Sequence, residues 1–169
     1  MARVKQPKLL SRTPPKDVET ERRLVSVLLI TDDAVTPDES FRDVTALVAL
    51  VQREDFADPF YAWLFEVIAE ARRVWPTLDR QLKFVLARPN RQAAAEKFGV
   101  EHLPSALAHL LLTREGAECA GRVASARLYV EHLRRVRDYR ERVEMAIGEV
   151  RAAYEQWDSD TAGGLVSPD

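Results

Sequence analysis

Few residues of this sequence have the types and spacing that catalysis or metal binding requires. Cys119 is the single cysteine, so two-cysteine metal sites and internal disulfides are excluded. The histidines also lack the spacing of a metal site; they are His102, His109 and His132. We therefore interpret these side chains as solvated or core residues and expect no metal or cofactor site.

Motifs for phosphate binding and acid–base chemistry are equally weak. The sequence has no GxxxxGK[ST] loop, because no lysine follows Gly163-Gly164. The paired carboxylates Asp32-Asp33 and Glu54-Asp55 stand at predicted helix ends. There a carboxylate can interact favourably with the helix dipole or cap the helix, so these roles are favoured over catalysis. We therefore expect a protein that is not an enzyme and that does not hydrolyse ATP on its own.

The composition narrows the class of protein further. With 169 residues, 46% of them hydrophobic and 31% charged, the chain suits one soluble, helix-rich domain. Its net charge of −2 offers no general attraction for nucleic acid, so any such site has to be local. A single cysteine favours a reducing compartment, and no apolar run approaches the roughly 20 residues of a membrane span. We expect a cytoplasmic protein that does not enter the membrane.

One local basic cluster could contact a polyanion. Arg134, Arg135 and Arg137 lie close together on the last predicted helix. Acidic residues stand four positions from many arginines of this helix, so a solvated, salt-bridged face is the simpler interpretation. The basic arm of residues 1–14 is expected to be disordered and adds only a weak electrostatic footprint. Any contact with DNA should be weak or indirect.

Helix signals account for most of the chain, and no segment alternates with the period of two that is typical of a strand. The first helix is predicted from its cap, Asp17, to about Ile30. The capping box Thr36-Pro37-Asp38-Glu39 opens a second helix that ends near Arg53. The apolar residues predicted to be buried on these two helices are Val18, Leu24, Val25, Leu28, Leu29, Phe41, Val44, Leu47, Val48 and Val51.

The third predicted helix is the most strongly amphipathic and should be central to the core. Asp58 is its cap, Pro59 occupies the first helical position, and Trp75-Pro76 ends it. Phe56 is placed to fold back on the first turn, in the manner of a hydrophobic staple. Its apolar face comprises Phe60, Trp63, Leu64, Val67, Ile68 and Ala71.

Shorter helices are predicted over Leu78–Ala87, Asn90–Phe98 and Pro104–Leu112. Gly99 should close the second of them in a C′ position. The third should bury Leu107, Leu110 and Leu111.

The last helix, predicted from about Ser125 to Trp157, carries a heptad seam with a period of 3.5 residues. Such a helix would be roughly 50 Å long, more than the shorter helices can cover. We expect its C-terminal half to pair with another helix, most simply that of a second copy; the alternative is that it packs over its own core. The predicted self-association residues are Tyr129, Leu133, Val136, Val143, Ile147, Val150, Tyr154 and Trp157, and Arg140 is the one charged seam position. Residues 158–169 are expected to form a disordered tail.

Segments in four parts of the chain resemble the N-terminal domain of DnaB-type replicative DNA helicases. Residues 14–29 resemble its opening pattern, PP-x-[DS]-[ILV]-E-A-E-x-x-[VL]-L-G, through Pro14, Pro15, Asp17, Val18, Glu19, Glu21 and Leu24. The central stretch is similar to E-D-F-x-x-P-x-[HY]-x-x-[IL]-F-x-[AV]-[IM] through Glu54, Asp55, Phe56, Pro59, Tyr61, Leu64, Phe65, Val67 and Ile68. Leu78-Asp79 stands where the family has a [VI]-D pair, and His132–Asp138, HLRRVRD, is similar to Y-A-x-x-V-R-E.

The sequence also departs from this family pattern. Thr20, Val25 and Ser26 replace the usual alanine, leucine and glycine of the opening pattern. Residues 34–43 and 88–100 look expanded, so the loops there are expected to differ. The family's ATPase domain is absent, and the chain stops where the linker to that domain would begin. We expect either the N-terminal piece of a longer product or a stand-alone copy of the domain.

The resemblance implies an all-α fold: a compact helical bundle over residues 15–157 that ends in a helical hairpin or pairing surface. In the family this domain is non-catalytic, self-associates as a collar on the helicase hexamer and contacts primase or loading proteins. The expected partners are therefore a second copy of the chain and a replicative helicase, primase or loader. Two alternatives stay open: a nucleic-acid-binding helical module, and a helical scaffold outside replication.

Overall fold

The computed structural model describes residues 14–29, 45–74, 84–86, 88, 90–112 and 119–163. All regular structure within these ranges is helical, which confirms the all-α class. The chain divides into two compact units, one of residues 16–137 and the other of residues 1–15 and 138–169. The predicted basic arm lies outside the described residues, apart from Pro14 at its end.

Six α-helices and one 3-10 turn follow one another along the described residues. The order is α1 (Val18–Leu28), α2 (helical residues 45–50), the 3-10 turn Arg53–Asp55, α3 (Pro59–Val74), α4 (Arg91–Glu96), α5 (Leu103–Leu112) and α6 (Cys119–Gly163). Residues 84–86 are also helical.

Helix α1 begins where the sequence predicts. The Asp17 carboxylate accepts a hydrogen bond from the backbone N–H of Thr20 at 3.0 Å and from the Thr20 hydroxyl at 2.8 Å, which satisfies a first-turn donor. Leu24, Val25 and Leu28 are buried as expected, but Val18 is 36% exposed, so its predicted burial was wrong. Helix α1 packs against both α3 and α5. Its buried side chains therefore cover more of the helix circumference than a single apolar face does.

The second predicted helix is shorter at its C-terminal end than expected. Its capping box lies outside the described residues, and its helical residues stop at 50. Gln52 has an extended backbone, with φ −115° and ψ 154°, and the 3-10 turn follows directly. Leu47 and Val51 are buried, as predicted.

Helix α3 has the predicted cap but a rotated buried face. Asp58 Oδ1 accepts the N–H of Phe60 at 2.8 Å, so the cap is confirmed. Leu64, Val67, Ile68 and Ala71 are buried as predicted, whereas Phe60 and Trp63 are only partly buried.

The rotation of α3 turns an unpredicted residue, Phe65, into the core. Phe56 stacks on the Phe65 ring at a centroid distance of 5.4 Å. The predicted staple is therefore wrong in its partner, because Phe56 reaches the second turn of α3 and not the first.

Helix α4 ends as the glycine predicts. Gly99 has φ +78°, its N–H bonds the Glu96 carbonyl at 2.9 Å, and the Val100 N–H bonds the Ala95 carbonyl at 3.1 Å. This is a Schellman motif, which requires a left-handed residue at C′. In α5, Leu107 and Leu110 are buried as predicted, while the side chain of Leu111 lies outside the described part of the chain.

Helix α6 extends beyond both predicted ends, from Cys119 to Gly163. The predicted boundary at Trp157 was therefore too early, and residues 164–169 lie outside the described ranges. Within the unit of residues 16–137, α6 buries Ala126, Val130 and Leu133 in the common core. Most of the predicted helix Leu78–Ala87 is not described; within it Phe84 and Val85 are buried.

Candidate functional site

The buried polar side chains of the described residues all lie in the unit of residues 16–137. They are Glu21, Ser26, Asp55 and Arg72. Each makes a hydrogen bond to a backbone group or charged side chain remote in sequence. Buried polar groups are costly unless they are hydrogen-bonded, so these contacts determine how the helices dock.

The strongest of these contacts joins the 3-10 turn to α6. Asp55 Oδ1 accepts from Arg137 Nη1 at 2.8 Å, and Asp55 Oδ2 accepts the Gln52 N–H at 2.9 Å. The Asp55 side chain has no exposure and that of Arg137 has 19%. One turn earlier on α6, Arg134 donates to the Leu50 carbonyl and caps the end of α2.

A second buried carboxylate joins α1 to the start of α3. Glu21 accepts the N–H of Ala57 at 2.8 Å and the N–H of Asp58 at 3.0 Å. The loop that enters α3 is thereby held against α1, and two backbone donors are satisfied away from water.

A third polar contact joins the N-terminal cap of α1 to α6. His132 Nε2 lies 3.0 Å from Asp17 Oδ2. The hydrogen bond from the Thr20 backbone lowers the pKa of Asp17 below its ordinary value of 3.8; burial opposes this effect, and the bonds from the Thr20 hydroxyl and His132 reinforce it. The carboxylate is therefore charged at neutral pH.

Arg72 was not predicted to be buried. Its Nε donates to the Leu28 carbonyl at 2.8 Å, where it satisfies the C-terminal end of α1, and burial lowers the pKa of its guanidinium to about 10. The only sequence signal was its spacing, because Arg72 continues the i, i+4 row of Leu64 and Ile68. An arginine in such a row is more often read as the exposed edge of an apolar face.

The structure does not support a combined polyanion surface at the predicted arginine cluster. Arg137 is committed to Asp55, and Arg134 to the Leu50 carbonyl. Arg135 is directed to solvent with 79% side-chain exposure and reaches Glu131 only at 3.8 Å. A joint contact of the three arginines with a polyanion stays a prediction, and two of them already have partners within the domain.

The predicted heptad seam divides into two parts with different environments. Leu133 is completely buried in the core, and Tyr129 packs against that core, so these two serve the fold of their own chain. Self-association through Tyr129 and Leu133 stays a prediction. Val136 is partly buried. In the other unit, Trp157 is 49% exposed, and the remaining seam residues are partly buried: Val143, Ile147, Val150 and Tyr154.

Sequence reasoning missed a row of partly exposed aromatic side chains on α3 and after α4. The ring centroids of Phe60 and Tyr61 are 5.5 Å apart, those of Phe60 and Trp63 5.9 Å, and those of Trp63 and Phe98 5.9 Å. Arg91 lies over the Trp63 ring at 5.9 Å. We call the rings of Phe60, Tyr61, Trp63 and Phe98 the aromatic row. Three of them are close in sequence, but the fourth joins them only through the packing of α4.

The aromatic row has the side-chain types of a protein–protein contact. Aromatic residues and arginine dominate the binding energy at interfaces, because rigid rings bury large areas with little loss of entropy. The side chain of Phe98 is 38% exposed. Burial raises the pKa of Tyr61, so the Tyr61 hydroxyl stays neutral. The row can therefore bury further apolar surface against a partner.

The histidines considered in the sequence analysis as possible metal ligands make ordinary surface contacts. His109 lies 3.4 Å from Arg22, and His102 Nδ1 lies 2.7 Å from the Ser105 hydroxyl. Among the described residues, no group of three or more His, Cys, Asp or Glu side chains is arranged to hold a metal ion. The same residues include no helix with the length and apolarity that crossing a bilayer requires.

Comparisons with protein-family models, with curated proteins and with solved structures give no match to this chain.

Replacing Asp55 by alanine should destabilise the protein by about 3–5 kcal/mol, because a charged arginine then loses its buried partner. Replacing Arg137 by leucine should cost a similar amount. The double variant should cost clearly less than both changes together, since it leaves neither charge unpaired. Urea unfolding followed by circular dichroism measures all three. Arg135→Leu is the matched control and should change stability by less than about 0.5 kcal/mol. Strict additivity would show that the pair is not coupled.

Asp17 should make part of the stability sensitive to acid. Its pKa is lower in the folded state, so its charge stabilises the fold above the ordinary value of 3.8, and this contribution is lost as the pH falls through the folded-state value. Asp17→Asn keeps a good N-cap but removes the charge. The difference in unfolding free energy between wild type and this variant should therefore shrink as the pH falls below the ordinary value. A difference independent of pH would contradict the role of the charge.

Proposed function

We propose that this chain is a non-catalytic interaction domain of DNA replication, similar to the N-terminal collar domain of DnaB-type replicative helicases. One observation carries the proposal. Residues from three separate segments that resemble that family contact one another in the fold. Asp17 from the opening pattern meets His132, which stands in the last pattern, and Asp55 from the central pattern pairs with Arg137.

The opening and central patterns are also joined directly. Glu21, matched in the first, binds the backbone N–H groups of Ala57 and Asp58, which lie inside the second. Accidental matches scattered along an unrelated bundle would have no reason to be mutual hydrogen-bond partners. Their convergence supports the idea that the patterns describe one way of docking helices. Because fold alone does not fix function, the role in replication stays a proposal.

The contacts of two arginines favour the proposed function over nucleic-acid binding. Direct binding to phosphates needs arginines that reach solvent together. Arg134 and Arg137 are instead used inside the domain, which favours a protein partner over DNA.

The aromatic row is the surface that we propose for the replicative helicase, primase or loader partner. It combines aromatic rings with Arg91 in the way that interface hot spots do. The seam of residues 143–157, in the other unit, is the surface that we propose for assembly with a second copy.

The first test is co-elution of this chain with the replicative helicase and with the primase of its source organism, by size-exclusion chromatography with light scattering. A shift into either peak is expected. Phe98→Ala should weaken co-elution at least several-fold, because it removes a ring from the aromatic row. Leu128→Ala is the control, since Leu128 is 65% exposed on α6.

No shift with either the helicase or the primase would overturn the role in replication and leave a helical scaffold outside replication. A shift that Phe98→Ala and Leu128→Ala reduce equally would keep the role but remove the aromatic row as the contact.

Assembly through the last helix has its own test. Replacing Val143 and Ile147 by aspartate should dissociate the assembly, because two charges would enter the apolar seam. The double variant Met145→Asp, Ala152→Asp introduces the same charges at exposed positions of the same helix and should leave the mass unchanged. Light scattering gives the mass, and circular dichroism verifies that both variants remain helical.

An unchanged mass for the seam variant would contradict assembly through these residues. Loss of assembly in both double variants would show that added charge, and not the seam, is responsible.

A further inference from the structure

The seam in the unit of residues 138–169 has a pattern that distinguishes the two ways in which a pair of helices can align. In heptad terms, Arg140, Ile147 and Tyr154 occupy a positions, and Val143, Val150 and Trp157 occupy d positions. All six lie within the continuous helix α6. Trp157 is 49% exposed and the other five are partly buried, so each retains surface that a partner can cover.

A parallel pairing in register would place each a residue beside its own copy. The two Arg140 side chains would then meet in one layer of the seam, where like charges repel and are poorly hydrated. Positions g and e flank the seam in this arrangement, and Ala146 would face Arg151 of the second copy. Such a pairing has a charged layer and gains no ion pair from these flanking residues.

An antiparallel pairing about a two-fold axis between Gly148 and Glu149 removes both problems. Each a residue then faces a d residue of the second copy, so Ile147 faces Val150 and Val143 faces Tyr154. Arg140 faces Trp157, an arrangement in which a guanidinium can stack on an indole ring. The two Arg140 side chains are then separated by roughly 25 Å along the axis, at 1.5 Å per residue.

The flanking residues of the antiparallel pairing are complementary. Residues at e face residues at e, so Glu144 of each copy meets Arg151 of the other, and the two-fold axis makes this ion pair twice. On the opposite flank Ala146 faces Ala153, and these small side chains let the helices approach closely. One register therefore satisfies the apolar, charged and small positions together.

We propose that two copies of this chain pair through residues 140–157 of α6 as an antiparallel two-helix coiled coil, centred between Gly148 and Glu149. The inference rests on the assembly included in the proposed function and adds the partner, the direction and the register. The occupant of the seam is the same segment of a second copy, because the seam is complementary to its own reverse in charge and size.

Site-directed disulfides test the direction. In a chain with Cys119→Ser, the single variants Val143→Cys and Tyr154→Cys are purified, and each is oxidised alone and as an equal mixture. The antiparallel register places position 143 beside position 154 of the second copy, while two copies of position 143 lie roughly 16 Å apart along the axis, beyond disulfide reach. Covalent dimers are expected only in the mixture. Met145→Cys mixed with Ala152→Cys is the control and should stay monomeric on a non-reducing gel.

Charge exchange tests the register independently. Glu144→Arg or Arg151→Glu alone should weaken dimerisation roughly tenfold, because two attractive pairs become repulsive. The double variant should restore the affinity, since the pairs are re-formed with reversed sign. Sedimentation equilibrium measures the dissociation constants, and circular dichroism verifies folding.

The outcomes separate this inference from the proposed function. Covalent dimers from either single variant alone, or no recovery in the double charge variant, would overturn the antiparallel register while leaving assembly intact. A monomeric mass for the unmodified chain at all concentrations would overturn both the pairing and the assembly. Co-elution with replication proteins would still be decided by its own experiment.

Discussion

The ion pair between Asp55 and Arg137 is the constraint on which the arrangement of the folded unit depends. A carboxylate without exposure is unstable as a charge unless a cation and hydrogen bonds replace its water. Arg137 supplies the cation from 82 positions away, and the Gln52 N–H supplies a further bond. The 3-10 turn and α6 can therefore dock in few ways, because any shift would leave a buried charge unpaired.

The other polar contacts extend the same principle to α1 and α3. Glu21 holds the loop before α3, and Arg72 donates to the Leu28 carbonyl at the end of α1. Apolar packing alone would tolerate rotation of α3, since this helix has apolar side chains over much of its circumference. Directional hydrogen bonds at helix ends exclude those rotations, and so they give the bundle one arrangement where hydrophobic burial would permit several.

This use of charged residues inside the domain leaves a particular kind of outer surface. Two of the three arginines predicted to contact a polyanion, Arg137 and Arg134, are engaged with Asp55 and with the Leu50 carbonyl. Two partly exposed surfaces carry aromatic or apolar side chains, namely the aromatic row and the seam of residues 143–157. Such surfaces are suited to proteins more than to nucleic acids, because their free energy of binding comes from area buried and not from counterion release.

The sequence by itself determined the features that depend on neighbours two to five positions away. The helical class, the caps Asp17 and Asp58, and the left-handed Gly99 could all be predicted, because their hydrogen bonds close within one turn. Only the tertiary structure decided the rotation of α3, the burial of Arg72 and the partners of Glu21 and Asp55. Those contacts span 36 to 82 positions, and a polar side chain carries no local signal of the distant group that will satisfy it.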